Sequence, residues 1–149
     1  MLALGGLAAG AAALAAAVLS AVGSPGEAVS AAKAAEATIR SHTVTIGKGH
    51  VTVRALPSGT CFTVRDAGGS GHACPSRTGR QDLSFVLTPH GVGGIAGSEV
   101  RAVIVRLTRK GTVWATLRDG AFYAAPPPGY RVRAVVKVLR DGSRRAFGA

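Results

Sequence analysis

The sequence predicts an all-β protein, an antiparallel β-sandwich or small barrel, preceded by an apolar N-terminal helix. Three observations predict it. From Ser41 onward, β-branched residues alternate with polar ones at period two. Glycine-based turn signals, among them Gly47-Lys48-Gly49, Asp119-Gly120 and Asp141-Gly142, interrupt that alternation at short intervals. Finally, Leu2–Val22 contains only Leu, Val, Ala, Gly and one Ser, a composition read by the secretion machinery or by a bilayer.

A helix over Leu2–Val22 would cover roughly 30 Å at ~1.5 Å per residue, about one hydrocarbon core. Residues 1–23 are therefore expected to be a signal peptide, cleaved at a small-residue site such as Ala21-Val22-Gly23, or an uncleaved membrane anchor. No Lys or Arg precedes the run, and Lys33 and Arg40 follow it, the reverse of the usual cytoplasmic bias. An upstream start codon with a basic leader is one explanation. Ser24-Pro25-Gly26 breaks the helix, and Ala28–Arg40 is rich in helix formers with little apolar periodicity. Residues 24–41 thus read as a linker or short helix. What remains is a domain over residues 42–149, about the size of one small core.

Within that domain, His42–Ile46 and His50–Leu56 are expected strands around the Gly47-Lys48-Gly49 hairpin. Thr60–Arg65 is a third and carries Cys61. Asp66–Arg80 is rich in Gly and Ser without periodicity, so a loop is expected there. Leu83–Thr88 is a strand ended by Pro89, and Gly91-Val92-Gly93-Gly94 reads as a turn or bulge. Val100–Thr108 places Val103, Val105 and Leu107 on one face. In Thr112–Arg118, Val113, Ala115 and Leu117 alternate with Trp114, Thr116 and Arg118. Ala121–Ala124 and the rigid Pro126-Pro127-Pro128-Gly129 loop follow. Tyr130–Leu139 is read with Val132, Ala134, Val136 and Val138 inward and Arg131, Arg133 and Lys137 outward, and Arg144–Phe147 closes the last hairpin. About eight such strands with one apolar face fit an immunoglobulin- or fibronectin-like sandwich or a small barrel.

The only two cysteines are Cys61 and Cys74, and an even pair in an exported domain is expected to form a disulfide. A metal reading would draw on Cys61, His72, Cys74 and His90. Zinc sites favour cysteines two to four residues apart in paired sets, so no metal site is expected, and no cofactor either.

The stretch Gly91–Gly142 runs from a G-x-A-G lead-in through Val-alternating strands and a DG-x-F turn to a Val-rich strand before a final Asp-Gly. It resembles a β-rich module of uncharacterised exported or membrane-anchored proteins of high-GC bacteria. The resemblance implies the compartment and the sandwich; it carries no known activity and no site residues.

Chemistry is sparse. The four histidines could act as bases, but Gly69-Ser70-Gly71 lacks the strand-turn-helix context of a nucleophile elbow. Asp119 and Asp141 precede glycine in turns, where aspartate is favoured for local hydrogen bonding. The Gly-rich runs lack the following helix a phosphate loop needs. The reading is therefore a non-enzymatic protein. With a net charge of +11, it is drawn to anionic lipid, wall polymer or nucleic acid, and export disfavours the last.

The one recurrent polar pattern is an outward cationic stripe with an aromatic in it. Arg101, Arg106, Trp114, Arg118, Arg131 and Arg133 are the candidate binding residues. Arginine grips phosphate and carboxylate bidentately and stacks on aromatic faces. The expected function is to bind a protein or an anionic envelope component through this face, outside the cytoplasm, with the membrane engaged through Leu2–Val22 if that segment is retained. A membrane-anchored sensor or a purely structural cap is the alternative.

Overall fold

The computed structural model describes residues 40–149; the Leu2–Val22 segment and the linker ahead of Arg40 lie outside them. The described residues form twelve β-strands in three four-stranded antiparallel sheets. The all-β expectation holds, with more strands than the alternation announces.

The first sheet is a meander of β1 (Ser41–Ile46), β2 (Gly49–Leu56), β3 (Gly59–Asp66) and β4 (Gly69–Ala73), in that order. Gly47 takes φ +58° in the first hairpin, a conformation glycine adopts without steric cost. Val44, Ile46, Val51, Phe62 and Val64 form the inner face. β4 lies inside the stretch expected to be a loop. It pairs with β3 from Phe62↔Ala73 to Asp66↔Gly69, yet its sequence, Gly-Ser-Gly-His-Ala, has no apolar face to betray a strand. The ladder comes from its partner.

The second sheet contains β5 (Leu83–Thr88), β6 (Gly91–Ala96), β9 (Thr116–Arg118) and β10 (Ala121–Ala124), ordered β5-β6-β10-β9. It is apolar on both faces. Ala121, Tyr123, Val86 and Ile95 pack with the first sheet, while Val92, Phe122 and Ala124 pack with the third. All four residues of β10 are consequently buried. Here the structure corrects the expected turn at Gly91–Gly94, which is an internal strand pairing with both β5 and β10. Glycine is required because neighbours approach from both sides. A Cβ on Gly93 would lie 2.7 Å from Val64 Cγ1, and one on Gly94 would overlap the Ser84 carbonyl oxygen.

The third sheet, ordered β12-β11-β7-β8, contains β7 (Val100–Leu107), β8 (Thr112–Trp114), β11 (Val132–Leu139) and β12 (Arg144–Gly148). Val103, Val105, Leu107, Val135 and Leu139 face the second sheet. The chain passes from the third sheet to the second at Ala115, whose N–H donates to the Val103 carbonyl at 2.9 Å. Val113, Ala115 and Leu117 all pack on the shared core, so the inward set expected for Thr112–Arg118 is observed.

Of the inward set expected for β11, Val132 packs on that core and the other three do not. Pairing with β7 shifts register between Val132 and Ala134 and again between Val138 and Leu139. A one-residue shift sends every following side chain to the opposite face. Ala134, Val136 and Val138 therefore point away from the second sheet. Val136 and Val138 nonetheless form a small buried cluster with Ile104 on that outer face. Lys137, expected outward, is only 8 % exposed. Its ammonium donates to the Gln81 carbonyl and sits 5.7 Å from the Phe147 ring centre, which together offset its loss of water.

Candidate functional site

Two adjoining hollows flank the β7–β8 turn. One, of about 330 Å³, is lined by Arg106, Leu107, Lys110, Gly111, Thr112, Arg133 and Ala134. Arg106 pairs with Thr112 on one side and Ala134 on the other. Arg133 is the extra residue of the first register shift, which projects it clear of the ladder. Arg109 and Lys110 make the turn with φ of 65° and 62°. Left-handed conformations cost non-glycine residues roughly 1–2 kcal/mol each, and the turn they make sets Lys110 beside two arginines.

The second hollow, of about 680 Å³, runs along Pro126–Gly129 and takes in His90, Leu87, Tyr130 and Arg131. Arg131 ties this second hollow to the β7–β8 turn, since Thr108 N–H donates to the Arg131 carbonyl at 2.9 Å and Arg131 N–H donates to Thr108 Oγ1 at 3.1 Å. The largest exposed aromatics, Trp114 at 64 % and Tyr130 at 38 %, border this region. Trp114 lies opposite Ile104, one same-face step along β8 from the Arg106–Thr112 pair.

Of the six residues singled out from sequence, four gather here: Arg106, Trp114, Arg131 and Arg133. Two lie apart. Arg101 occupies the second register shift, five residues along β7 from Arg106, or about 16 Å at strand rise. Arg118 ends β9 in the second sheet. Lys110 carries no such mark in the sequence, because a lysine beside glycine in a turn looks like ordinary turn chemistry; its neighbours Arg106 and Arg133 come close only through tertiary pairing.

No described aspartate or glutamate lines either hollow. Asp82 accepts from Gly79 N–H at 2.6 Å, Glu99 from Gln81 at 2.8 Å and Asp141 from Ser143 N–H at 2.8 Å, and Asp119 sits in a left-handed turn at φ 50°. Asp66 accepts from Thr88, from Tyr123 Oη at 3.0 Å and from Gly68 N–H at 2.9 Å. Arg106, Lys110 and Arg133 therefore face no acidic side chain within the first hollow, and what it can do chemically is hold anionic groups. Among the described residues, the histidine hydrogen bonds run to Thr45, Thr63 and Cys74, with none to a serine or a carboxylate.

The Asp66 cluster is a structural tie between the first and second sheets. Burial, the largest influence on the Asp66 carboxyl, would raise its pKa; donation from Thr88, Gly68 and Tyr123, with His90 nearby, outweighs it and holds the pKa below the usual aspartate range. Burial and then the Asp66 charge push the Tyr123 hydroxyl up to about 12. A depressed folded pKa contributes stability that is present above the unfolded value near 3.9 and lost as pH falls through the folded one. A raised tyrosine pKa contributes stability that is complete below about 10 and lost as pH climbs toward the folded value. Asp66→Ala is expected to cost about 2–3 kcal/mol in urea unfolding at pH 7, because three donors lose a charged acceptor. Asp66→Asn should flatten the acid limb of stability against pH.

Set against known protein families, curated proteins and solved structures, the chain matches none of them.

Proposed function

We propose that this chain is a non-enzymatic β-sandwich module that works outside the cytoplasm and binds a phosphate-bearing component of the cell envelope. The binding surface is the outer side of the third sheet around the β7–β8 turn. The observation that carries this reading is the grouping of Arg106, Lys110 and Arg133 around one hollow with no carboxylate in its lining. Exposed Trp114 beside them supports an interfacial partner, because indole pairs an apolar body with affinity for headgroup depth and for cations. The Cys61–Cys74 disulfide and the apolar Leu2–Val22 segment support an oxidising, extracytoplasmic setting. The facing second and third sheets support the sandwich.

The test is co-sedimentation of residues 40–149, which carry both packed cores and leave out the apolar Leu2–Val22 segment that would hold any bilayer, with vesicles of phosphatidylglycerol mixed into phosphatidylcholine. Binding should require the anionic lipid and weaken at least about tenfold between low and high salt, as screening dictates. Arg106→Glu with Arg133→Glu should abolish it, while Arg118→Glu, on the second sheet, should leave most of it intact. Equal loss in both variants points to net charge alone, and unchanged binding by the double reversal overturns the assignment.

A further inference from the structure

The three donor atoms of Cys61, Cys74 and His72 lie within 4.8 Å of one another, although their spacing in sequence resembles no metal motif. Strand register explains the meeting. Phe62 pairs with Ala73 and Thr63 with His72, so continuing the ladder by one residue sets Cys61 opposite Cys74. Side chains alternate along each strand, which places Cys61, Thr63, His72 and Cys74 on the same outward face while Phe62 and Val64 enter the core. His72 Nε2 lies 3.3 Å from Cys74 Sγ, and its Nδ1 lies 3.0 Å from Thr63 Oγ1.

We propose that the disulfide is one state of a redox-gated metal site, and that its reduced form binds one zinc ion through Cys61, Cys74 and His72. A dithiol supplies the two electrons: its own sulfurs join as a disulfide while Cys61 and Cys74 each leave as a thiol carrying one proton. Zinc then displaces both thiol protons and binds two thiolates and the imidazole Nε2. Three protein ligands leave one position for water or an external ligand. Thr63 is the positioning residue. With Nδ1–H donating to its hydroxyl, the ring is held in the tautomer that presents the Nε2 lone pair to the metal, the usual arrangement for ligating histidines. The β3–β4 backbone ladder holds His72 in place and ends at the Phe62–Ala73 pair, one residue short of each cysteine, so after reduction the two thiols stay tethered beside the imidazole. His90, the fourth ligand a sequence reading would nominate, takes no part: it packs against Gly68 at the far end of β4.

The experiment uses the full chain, reduced with dithiothreitol and freed of it under anaerobic conditions, then titrated with Co²⁺ as a spectroscopic probe and with Zn²⁺ in competition. One equivalent should bind, with a sulfur-to-cobalt charge-transfer band, and the oxidised chain should bind none. His72→Ala should weaken binding at least about 100-fold, and Thr63→Val about tenfold, in the range of lost outer-shell partners. Circular dichroism before and after metal addition covers loss of structure on reduction: recovery by zinc in the wild type and not in His72→Ala supports the site. Reduced wild type without a thiolate–cobalt band, or equal affinity in His72→Ala, overturns it.

Discussion

Phe122→Ala is expected to lower the unfolding free energy by about 3–5 kcal/mol, the usual cost of emptying a fully buried aromatic site. Phe122 is fully buried and stands at the centre of the core shared by the second and third sheets, with Val92, Val105 and Val135 in the same cluster. Its chain neighbours Ala121 and Tyr123 face the first sheet. Because β10 is thus common to two cores, the cavity should weaken the whole domain and leave a single urea transition. For a domain of this size the loss corresponds to a drop of roughly 15 °C in Tm. Leu87→Ala, at a side chain 47 % exposed, is the matched control and should change stability by no more than about 0.5 kcal/mol. A Phe122→Ala cost below about 1 kcal/mol would mean that the two sheets do not share a packed core.

Gly94→Ala should cost about 3 kcal/mol, the upper end of overpacking penalties, for a single added methyl. That methyl would overlap the Ser84 carbonyl oxygen and lie 2.8 Å from Phe85 Cα. Both obstacles belong to the backbone of β5, so no rotamer change can relieve them; β5 must separate from β6 along its register of Leu83↔Ala96 to Thr88↔Gly91. Gly148→Ala, where an added Cβ meets nothing within 4 Å, should be close to neutral. Comparing the two variants by chemical denaturation isolates the steric effect from the general effect of replacing glycine. Similar stabilities for the two would contradict the close approach of β5 and β6.

The alternating segments were legible because a strand with one wet face writes its burial into the sequence at period two. Val103, Val105 and Leu107, or Val113, Ala115 and Leu117, go where that pattern sends them. The second sheet breaks the rule. β10 is apolar throughout because it is covered on both sides, and β6 has so little side chain because its neighbours leave no room. β4 has no periodicity and exists through its partner. In β11 the alternation is real but its parity is wrong for the inner face. The register shift at Arg133 moves Val136 and Val138 outward and draws Lys137 inward, and nothing local to the residues announces it.

The same limits apply to the candidate surface. Alternation puts Trp114 on the cationic side of its strand, and it is among the most exposed large side chains described. Arg106, Arg131 and Arg133 are marked in the sequence by their residue type and strand parity, whereas their grouping with Lys110, and the separation of Arg101 and Arg118, depend on which strands are neighbours.

By itself, then, the sequence determined an antiparallel all-β domain, the places where its hairpins turn, the pairing of its only two cysteines and the outward side of Trp114. These follow from local rules of alternation, turn conformation and cysteine count. Only the tertiary structure decided that three sheets stack with the second covered on both faces, that Lys137 is buried, that three cations surround one hollow, and that His72 reaches the cystine. Each of these depends on strand register and neighbour choice. A shift of one residue reverses every side chain that follows, and a ladder can bring together residues whose separation in sequence carries no trace of it.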